Sequence, residues 1–379
     1  MIPLTMPDFT QDDQRAVAKA VASTFISGDG PECRAFEKEL AQYLNIKHAF
    51  FTTSCTAALD LSLMIYNFPK DSEVIVPNFT FTSTALAPIL NHLKIRLADV
   101  DPHNGNLLPS EIVKHITDKT VAIIPVDYAG NPADMNSINE IAQKHNLVVI
   151  HDAAQSFGAT YQGEKVGNLG HLTCFSFHGT KNLTVGEGGA LVTNDDRLAS
   201  KIIIAREKGT DKHSYISDTK KNGYYEYVAK GNSYVQSDIL AALGRSQLKR
   251  IDAMNARRRQ VAELYISHFS RYENQSVHLP KVTVNAVPNW HLFYLLIPEE
   301  LRLTFIERMK SYDVMSNVHY TPLHLNKYYR EMHLGSDNDF PGTMAFYNSL
   351  VRIPLFSAIT DTQAERVAEV TCKVLDEIL

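Results

Sequence analysis

A chain of 379 residues, 44% hydrophobic and 21% charged, is long enough to bury one large core and a smaller one beside it. Its net charge of −5 offers no general attraction to nucleic acid or to an acidic membrane surface. Four scattered cysteines (Cys33, Cys55, Cys174, Cys372) show neither metal-ligand spacing nor a disulfide framework, and no apolar run approaches the thickness of a bilayer.

Residues Met1 to Asp13 lack a basic segment followed by an apolar one, so no secretory signal is read there and a soluble cytoplasmic protein is expected. Apolar residues at helical spacing predict helices over 11–22 and 31–44, with Gly28-Asp29-Gly30 as the turn and Pro31 opening the second. Strand and helix signals then alternate. Ala49-Phe50-Phe51 leads into Thr53-Ser54-Cys55-Thr56 and a helix of Ala, Leu and Met. Strands are predicted at 73–77, 95–99, 121–126 and 147–151, with helices through 85–90 and 134–144 between them. This alternation predicts an α/β fold, a mostly parallel sheet wrapped by helices.

The pattern changes after the strand Ala190-Leu191-Val192. Asp195 to Glu207 reads as a helix, and 208–233 as a long polar loop, a length associated with function or mobility. From Gln236 a helical pattern runs to about Phe269 as a connector. Beyond it, strand signals at 293–297, 314–319 and 351–354 alternate with helices, the last near 362–379. The expected division is a large domain over 1–250 and a smaller α+β domain over 251–379 that includes the connector helix.

Chemistry concentrates between Cys174 and Gly189, a short apolar strand, a polar loop with Lys181 as its single lysine, and the glycine-rich return Gly186-Glu187-Gly188-Gly189. On its own Lys181 reads as a surface lysine. Between two strands that must be buried, it becomes a candidate imine-forming amine. Asp152 closes the apolar run Leu147–Ile150 and alone would serve equally as a helix cap. At a strand's carboxyl end, paired with Lys181, it suits the pyridinium nitrogen of pyridoxal phosphate. Ser54, Cys55 and Thr56 open a helix, which reads either as capping or as a phosphate cradle, with Ser176 adding a hydroxyl. Phe81 is either core or a face for stacking on a pyridine ring. His319 and His324 are rejected as a metal pair, because Pro322 interrupts their interval and no acid or Cys completes a site. A polar substrate contact or a structural turn is the alternative there. Arg206, Lys208, Lys212, Lys220 and Lys221 read either as solvated charge or as a receptor for a diphosphate.

Taken in order, SCTAAL at 54–59, PNFTFTSTA at 77–85, HDAAQSFGA at 151–159, FSFHGTKNLTVGEGG at 175–189, SDILAALGRSQL at 237–248 and HYTPLH at 319–324 span nearly the whole chain. Together they resemble the DegT-type sugar-nucleotide aminotransferases, of the fold-type I pyridoxal phosphate enzymes. The resemblance implies that Lys181 is the Schiff-base lysine, Asp152 the pyridinium partner and Gln155 a contact to the ring hydroxyl. It places Ser176, Cys55 and Thr56 at the phosphate, Phe81 against the ring, and His319, Tyr320 and His324 near the substrate. It also implies a homodimer with shared active sites. Ser233 stands where many members carry an Asn that reaches the neighbouring subunit's phosphate. The REKGT motif at 206–210 and the YxxSD pattern ending at Asp238 resemble the subgroup acting on dTDP-4-keto-6-deoxyhexoses. The expected reaction is amino transfer from L-glutamate to C4 of dTDP-4-keto-6-deoxy-D-glucose, with the gluco product preferred over the galacto, for surface polysaccharide. Relatives that deoxygenate at C3 carry His in place of the lysine, and Lys181 argues against that chemistry. Amination at C3, a UDP-linked ketosugar and a non-catalytic cofactor-binding regulator remain the alternatives.

Overall fold

Seven strands form the central sheet in the computed structural model, which describes residues 1–211, 225–273 and 275–379. In chain order the first nine strands are β1 (His48–Thr52), β2 (Glu73–Pro77), β3 (Lys94–Ala98), β4 (Thr120–Ile123), β5 (Val148–Asp152), β6 (Thr160–Tyr161), β7 (Glu164–Lys165), β8 (Leu172–Ser176) and β9 (Gly189–Thr193). The large sheet runs β1-β9-β8-β5-β4-β2-β3, and β6 with β7 belongs to a separate small ribbon. Neighbours from β8 through β3 are parallel, whereas β9 runs against both β8 and β1.

The strands read as continuous apolar runs because both faces of the sheet are covered. Val74, Val76, Ala122 and Ile150 enter the core on one face, and Ile75, Ile123 and Val149 that on the other. The helix Cys55–Tyr66 is apolar almost all round, and it buries Ala57, Ala58, Leu59, Leu61, Leu63 and Ile65. The parallel strands β1, β2, β5 and β8 all deliver their last residues (Thr52, Pro77, Asp152, Ser176) to one edge, where an open α/β sheet presents its crevice.

Three expectations are corrected. The strand expected over 121–126 ends at Ile123, because Pro125 has no N–H to give a ladder; a single bridge from Val126 to Asp152 continues its path. The helix expected from Gln236 to Phe269 is two helices, Asp238–Leu248 and Ile251–Phe269, with Arg250 at the break tied by its side chain to Asp8 and Asp13. The segment 314–319 is no strand and makes only isolated bridges, Val314 to Ile2 and Asn317 to Arg352. Those bridges bring the amino-terminal residues to the C-terminal core, where Ile2 packs with Val261, Phe293, Val314 and Val351. The strands there are β10 (Ala286–Val287), which joins β6, then β11 (Phe293–Leu296) and β12 (Leu350–Ile353), paired antiparallel and backed by the helix Asp361–Ile378. Among the described residues no helix is long and apolar enough to cross a membrane, and no cluster of His, Cys, Asp and Glu is arranged to hold a metal ion.

Candidate active site

A cavity of about 570 Å³ opens at the carboxyl edge of the sheet. Its walls include Cys55, Thr56, Phe81, Asp152, Gln155, Ser176, Lys181, His319 and Tyr320, nine of the eleven residues singled out from the sequence. A broader depression of about 890 Å³ lies around Val148, His171, Asp195 and Arg197 at the opposite edge, and it carries neither Lys181 nor Asp152.

Lys181 sits in the turn between β8 and β9. Its N–H donates to the His178 carbonyl at 2.9 Å, and the two limbs of the loop are tied by Gly179 N to Gly186 O and Phe177 N to Gly188 O, each 2.8 Å. The glycine-rich return has a steric reason at Gly189, where a Cβ would stand 2.4 Å from both Cys55 N and Ser54 C. Only a residue without a side chain lets β9 pass under the start of the helix Cys55–Tyr66. Burial pushes the Lys181 ammonium down to about 8, with Arg352 adding to the effect and Asp152 opposing it.

Asp152, only 4% exposed, ends β5 beside β8. Its Oδ2 accepts from the Thr84 hydroxyl at 2.8 Å and its Oδ1 from the Ala154 N–H at 3.2 Å. Burial raises its pKa, and these two donors and Lys181 work against the rise. Thr84, in the helix Thr82–Leu90, is a partner of Asp152 that the sequence reading did not single out, although it lies inside the PNFTFTSTA motif at 77–85.

The opening of the helix Cys55–Tyr66 combines both readings given to it. Ser54 is a true cap, accepting from Ala57 N at 3.0 Å. The N–H groups of Cys55 and Thr56, in the helix's first turn, have no intrahelical acceptor, and both residues line the cavity, which makes this helix end a ready anion cradle. The Thr56 hydroxyl meets Ser83 Oγ at 2.6 Å, and Ser176 stands nearby on the same wall. The Cys55 thiol is buried 3.9 Å from Asp152 Oδ1, with a pKa held high by burial, so this residue's contribution is its backbone.

Gln155 is fixed at both ends, its Oε1 accepting from Ala129 N at 2.8 Å and its Nε2 donating to the Tyr320 hydroxyl at 3.3 Å. Phe81 is 53% exposed, its ring 5.7 Å from that of Tyr320, and so keeps a face free at the mouth.

Two of the eleven residues do not reach the cavity. His324 is buried against Phe340, with Nδ1 2.7 Å from Asn78 Nδ2 and Nε2 3.0 Å from Asp337 Oδ1, so both ring nitrogens are already engaged. Ser233 is exposed and bridged to Glu207, outside the cavity of its own chain. The diphosphate role of the basic residues is corrected in part. Arg206 is buried and paired with Glu37 and with Asp29 at 3.2 Å, which spends its charge inside the protein. Lys208 is exposed and lies 3.4 Å from Glu207. Lys212, Lys220 and Lys221 lie outside the described residues. Asp238 of the YxxSD pattern is also structural: its carboxylate accepts from Glu32 N and Cys33 N at 3.0 Å each and so caps the helix Pro31–Leu44.

Two buried cavity residues escaped the sequence reading. His291 Nδ1 lies 3.1 Å from Asn182 Oδ1, and the Asn182 amide is oriented by its own donation to Asn255 and Asn289, so Nδ1 carries the proton. Arg352 comes from β12; its signal was a lone charge in the apolar run Leu350-Val351-Arg352-Ile353.

The arrangement fits an aromatic aldehyde bearing a phosphate. An amine of low basicity, a carboxylate fixed by two donors and a helix amino terminus converge on one chamber with a free aromatic face at its entrance.

Residues 7–371 match the model of the DegT/DnrJ/EryC1/StrS aminotransferase family. The chain is 34% identical over 375 residues to the spore coat polysaccharide biosynthesis protein SpsC of Bacillus subtilis, covering 97% of this chain and 95% of that one. An aminotransferase from Psychrobacter cryohalolentis superposes with a TM-score of 0.95 at 28% identity, over 100% of both chains. The PLP form of Spr1654 from Streptococcus pneumoniae gives 0.92 at 25% identity, over 100% of this chain and 99% of that one.

Proposed function

The chain belongs to the DegT/DnrJ/EryC1/StrS aminotransferase family, and from that premise we propose that it moves the amino group of L-glutamate to C4 of dTDP-4-keto-6-deoxy-D-glucose with pyridoxal phosphate as cofactor. The observation that carries the reading is the convergence of Lys181, Asp152 and the amino terminus of the helix Cys55–Tyr66 on one cavity. When bound, pyridoxal phosphate supplies an aldehyde that condenses with amines and a ring that accepts electron density from the donor's Cα.

The chain's own residues then divide the work. The Cys55 and Thr56 N–H groups and the Ser176 hydroxyl would hold the phosphate, and the carboxylate of Asp152, steadied by Thr84, would keep the ring nitrogen protonated. Gln155 would meet the ring hydroxyl, Phe81 would cover the ring, and Lys181 Nζ is the amine that would hold the aldehyde. The same Nζ would take up the proton at the donor's Cα, a task suited to an amine whose basicity burial has lowered, and would deliver a proton at C4 of the sugar. Delivery to one face of C4 gives the gluco product in this reading.

The sugar as acceptor is supported by the polysaccharide role in the name of the Bacillus subtilis relative, and the dTDP-4-keto choice by the 206–210 motif. We further propose a homodimer in which Ser233, unused in its own chain's cavity, faces the partner's site. Reconstituted wild type is expected to show the visible absorbance of lysine-bound cofactor and to lose it on addition of L-glutamate. Lys181→Ala is expected to show neither, with turnover down about 10³-fold or more. Full turnover and an unchanged band in Lys181→Ala would sink the assignment. Turnover only with 3-keto or UDP-linked sugars would move the substrate, and cofactor colour without any reaction with glutamate would favour a regulator.

A further inference from the structure

One acceptor on the cavity wall has no assigned task. His291 lies in the segment that leads into β11, and its backbone N–H is shared between the Ala129 carbonyl and Asn289 Oδ1, each at 3.1 Å. The residue is buried and lines the chamber that also holds Lys181. Its Nδ1 is taken by Asn182 Oδ1 at 3.1 Å, and Asn182 is the residue next to Lys181 in the chain. Behind that contact stands a set of interlocked amides. Asn182 donates to Asn255 Oδ1 at 2.8 Å and to the Asn289 carbonyl at 3.1 Å, and the Asn255 and Asn289 amides both donate to the Phe157 carbonyl, at 3.2 and 3.0 Å. The ring is therefore held by one edge, with the proton committed to Nδ1 and the lone pair on Nε2. Among the described residues Nε2 has no hydrogen-bond partner, yet its neighbours do not seal it off, so the lone pair is open to the cavity. Burial keeps the ring neutral, and the nearby charges of Lys181, Arg258, Arg352 and His319 act in the same direction.

A neutral imidazole nitrogen with a free lone pair, tethered through the residue beside Lys181, suits an N–H donor. Lys181 becomes a strong one when its Nζ has taken the donor's Cα proton and stands as an ammonium in a closed chamber. The other groups whose charge reaches Lys181 serve it less well. Asp152 spends its oxygens on Thr84 and Ala154 and, in the reading above, on the ring nitrogen; Cys55 keeps its thiol proton; Arg352 carries like charge. We infer that His291 Nε2 is the acceptor that receives the Lys181 ammonium and aims it at the reacting carbons, with Asn182 fixing the tautomer that makes Nε2 an acceptor. The inference rests on the aminotransferase reading above. The proton taken from Cα stays bonded to Nζ while Nε2 shares it as a hydrogen bond, and it leaves again from Nζ, so His291 neither gains nor loses a proton. A ring of ordinary basicity would compete for that proton, and the low basicity of this one prevents the loss. His291 is thus a positioning residue that acts through Lys181.

Two substitutions separate this contact from packing. An Asn side chain reproduces the Nδ1 donor and stops short of Nε2, whereas a Gln side chain reaches the place of Nε2 with an amide oxygen. An acceptor stabilises the ammonium more than the free amine, so its removal lowers the basicity of Lys181. In full-length apoprotein the pH midpoint for labelling of Lys181 by an amine reagent should fall by about one pH unit in His291→Asn and return most of the way in His291→Gln. Both variants leave Cys55, Asp152 and Arg352 in place around the lysine, so the shift reports the Nε2 contact. In the holoenzyme the half-reaction with L-glutamate should slow about tenfold in His291→Asn with KM nearly unchanged. The isotope effect from glutamate deuterated at Cα should grow, because proton transfer is the step that slows, and His291→Gln should restore most of both. An unchanged midpoint in His291→Asn overturns the inference. Equal losses in the Asn and Gln variants overturn it too, since they mark the ring as packing alone. Absence of any half-reaction with amino acids in the wild-type holoenzyme overturns the aminotransferase reading instead, and the apoprotein midpoints still decide whether His291 holds Lys181.

Discussion

The basicity of Lys181 can be measured without running the reaction. An amine at its ordinary value of 10.5 is neutral at pH 7 in roughly one molecule in 3,000, whereas at about 8 the neutral share is roughly one in ten. The cavity therefore supplies about 300-fold more free amine at neutral pH. Desolvation is the main cause, and the charges on the two sides of the lysine pull in opposite directions: Asp152 holds the proton on, Arg352 pushes it off. Apoprotein treated briefly with trinitrobenzenesulfonate across pH 6 to 11 and digested for mass spectrometry gives the modification rate at Lys181, with exposed Lys19 as an internal reference. The rate is expected to rise with a midpoint near 8. Asp152→Asn should move the midpoint down and Arg352→Gln should move it up. A midpoint near 10.5, or shifts of the opposite sign, refutes the electrostatic reasoning.

Two substitutions probe the scaffold. Arg206→Ala breaks a buried ion pair and takes the guanidinium away from Glu37 and Asp29, so chemical denaturation should report a loss of about 3–5 kcal/mol; unchanged stability with a raised KM for the sugar nucleotide would return this arginine to the diphosphate. Gly189→Ala sets a Cβ against the backbone of Ser54 and Cys55, and it should lower the thermal midpoint and weaken cofactor affinity about tenfold or more. Wild-type affinity in a fully folded Gly189→Ala protein would show that the phosphate is not held there.

What the sequence made legible was whatever depends on local pattern. The apolar runs of β2, β4 and β5 announce a sheet covered on both faces, and Asp152 and Lys181 stand at strand ends where chain order alone puts ligand-binding groups. Partnerships across long stretches of chain were out of reach. Asp238 looks like a site residue until it is seen to cap a helix opening at Pro31, and Arg206 until Glu37 and Asp29 appear beside it. His324 shares a motif with His319, yet a single turn sends it into the protein instead of the cavity. Arg352 shows the converse. Its place in the cavity wall follows from the alternation of β12, whose neighbouring Val351 and Ile353 enter the C-terminal core, and where that strand would lie leaves no trace in a linear pattern.

The most direct test combines purified protein, pyridoxal phosphate, L-glutamate and dTDP-4-keto-6-deoxy-D-glucose, with the sugar product read by NMR and 2-oxoglutarate counted in parallel. The account predicts one 2-oxoglutarate for each dTDP-4-amino-4,6-dideoxy sugar, with the large H3–H4 coupling of an equatorial nitrogen. A small coupling would replace gluco by galacto. No aminated sugar, while the half-reaction with glutamate runs normally, would contradict the assigned acceptor.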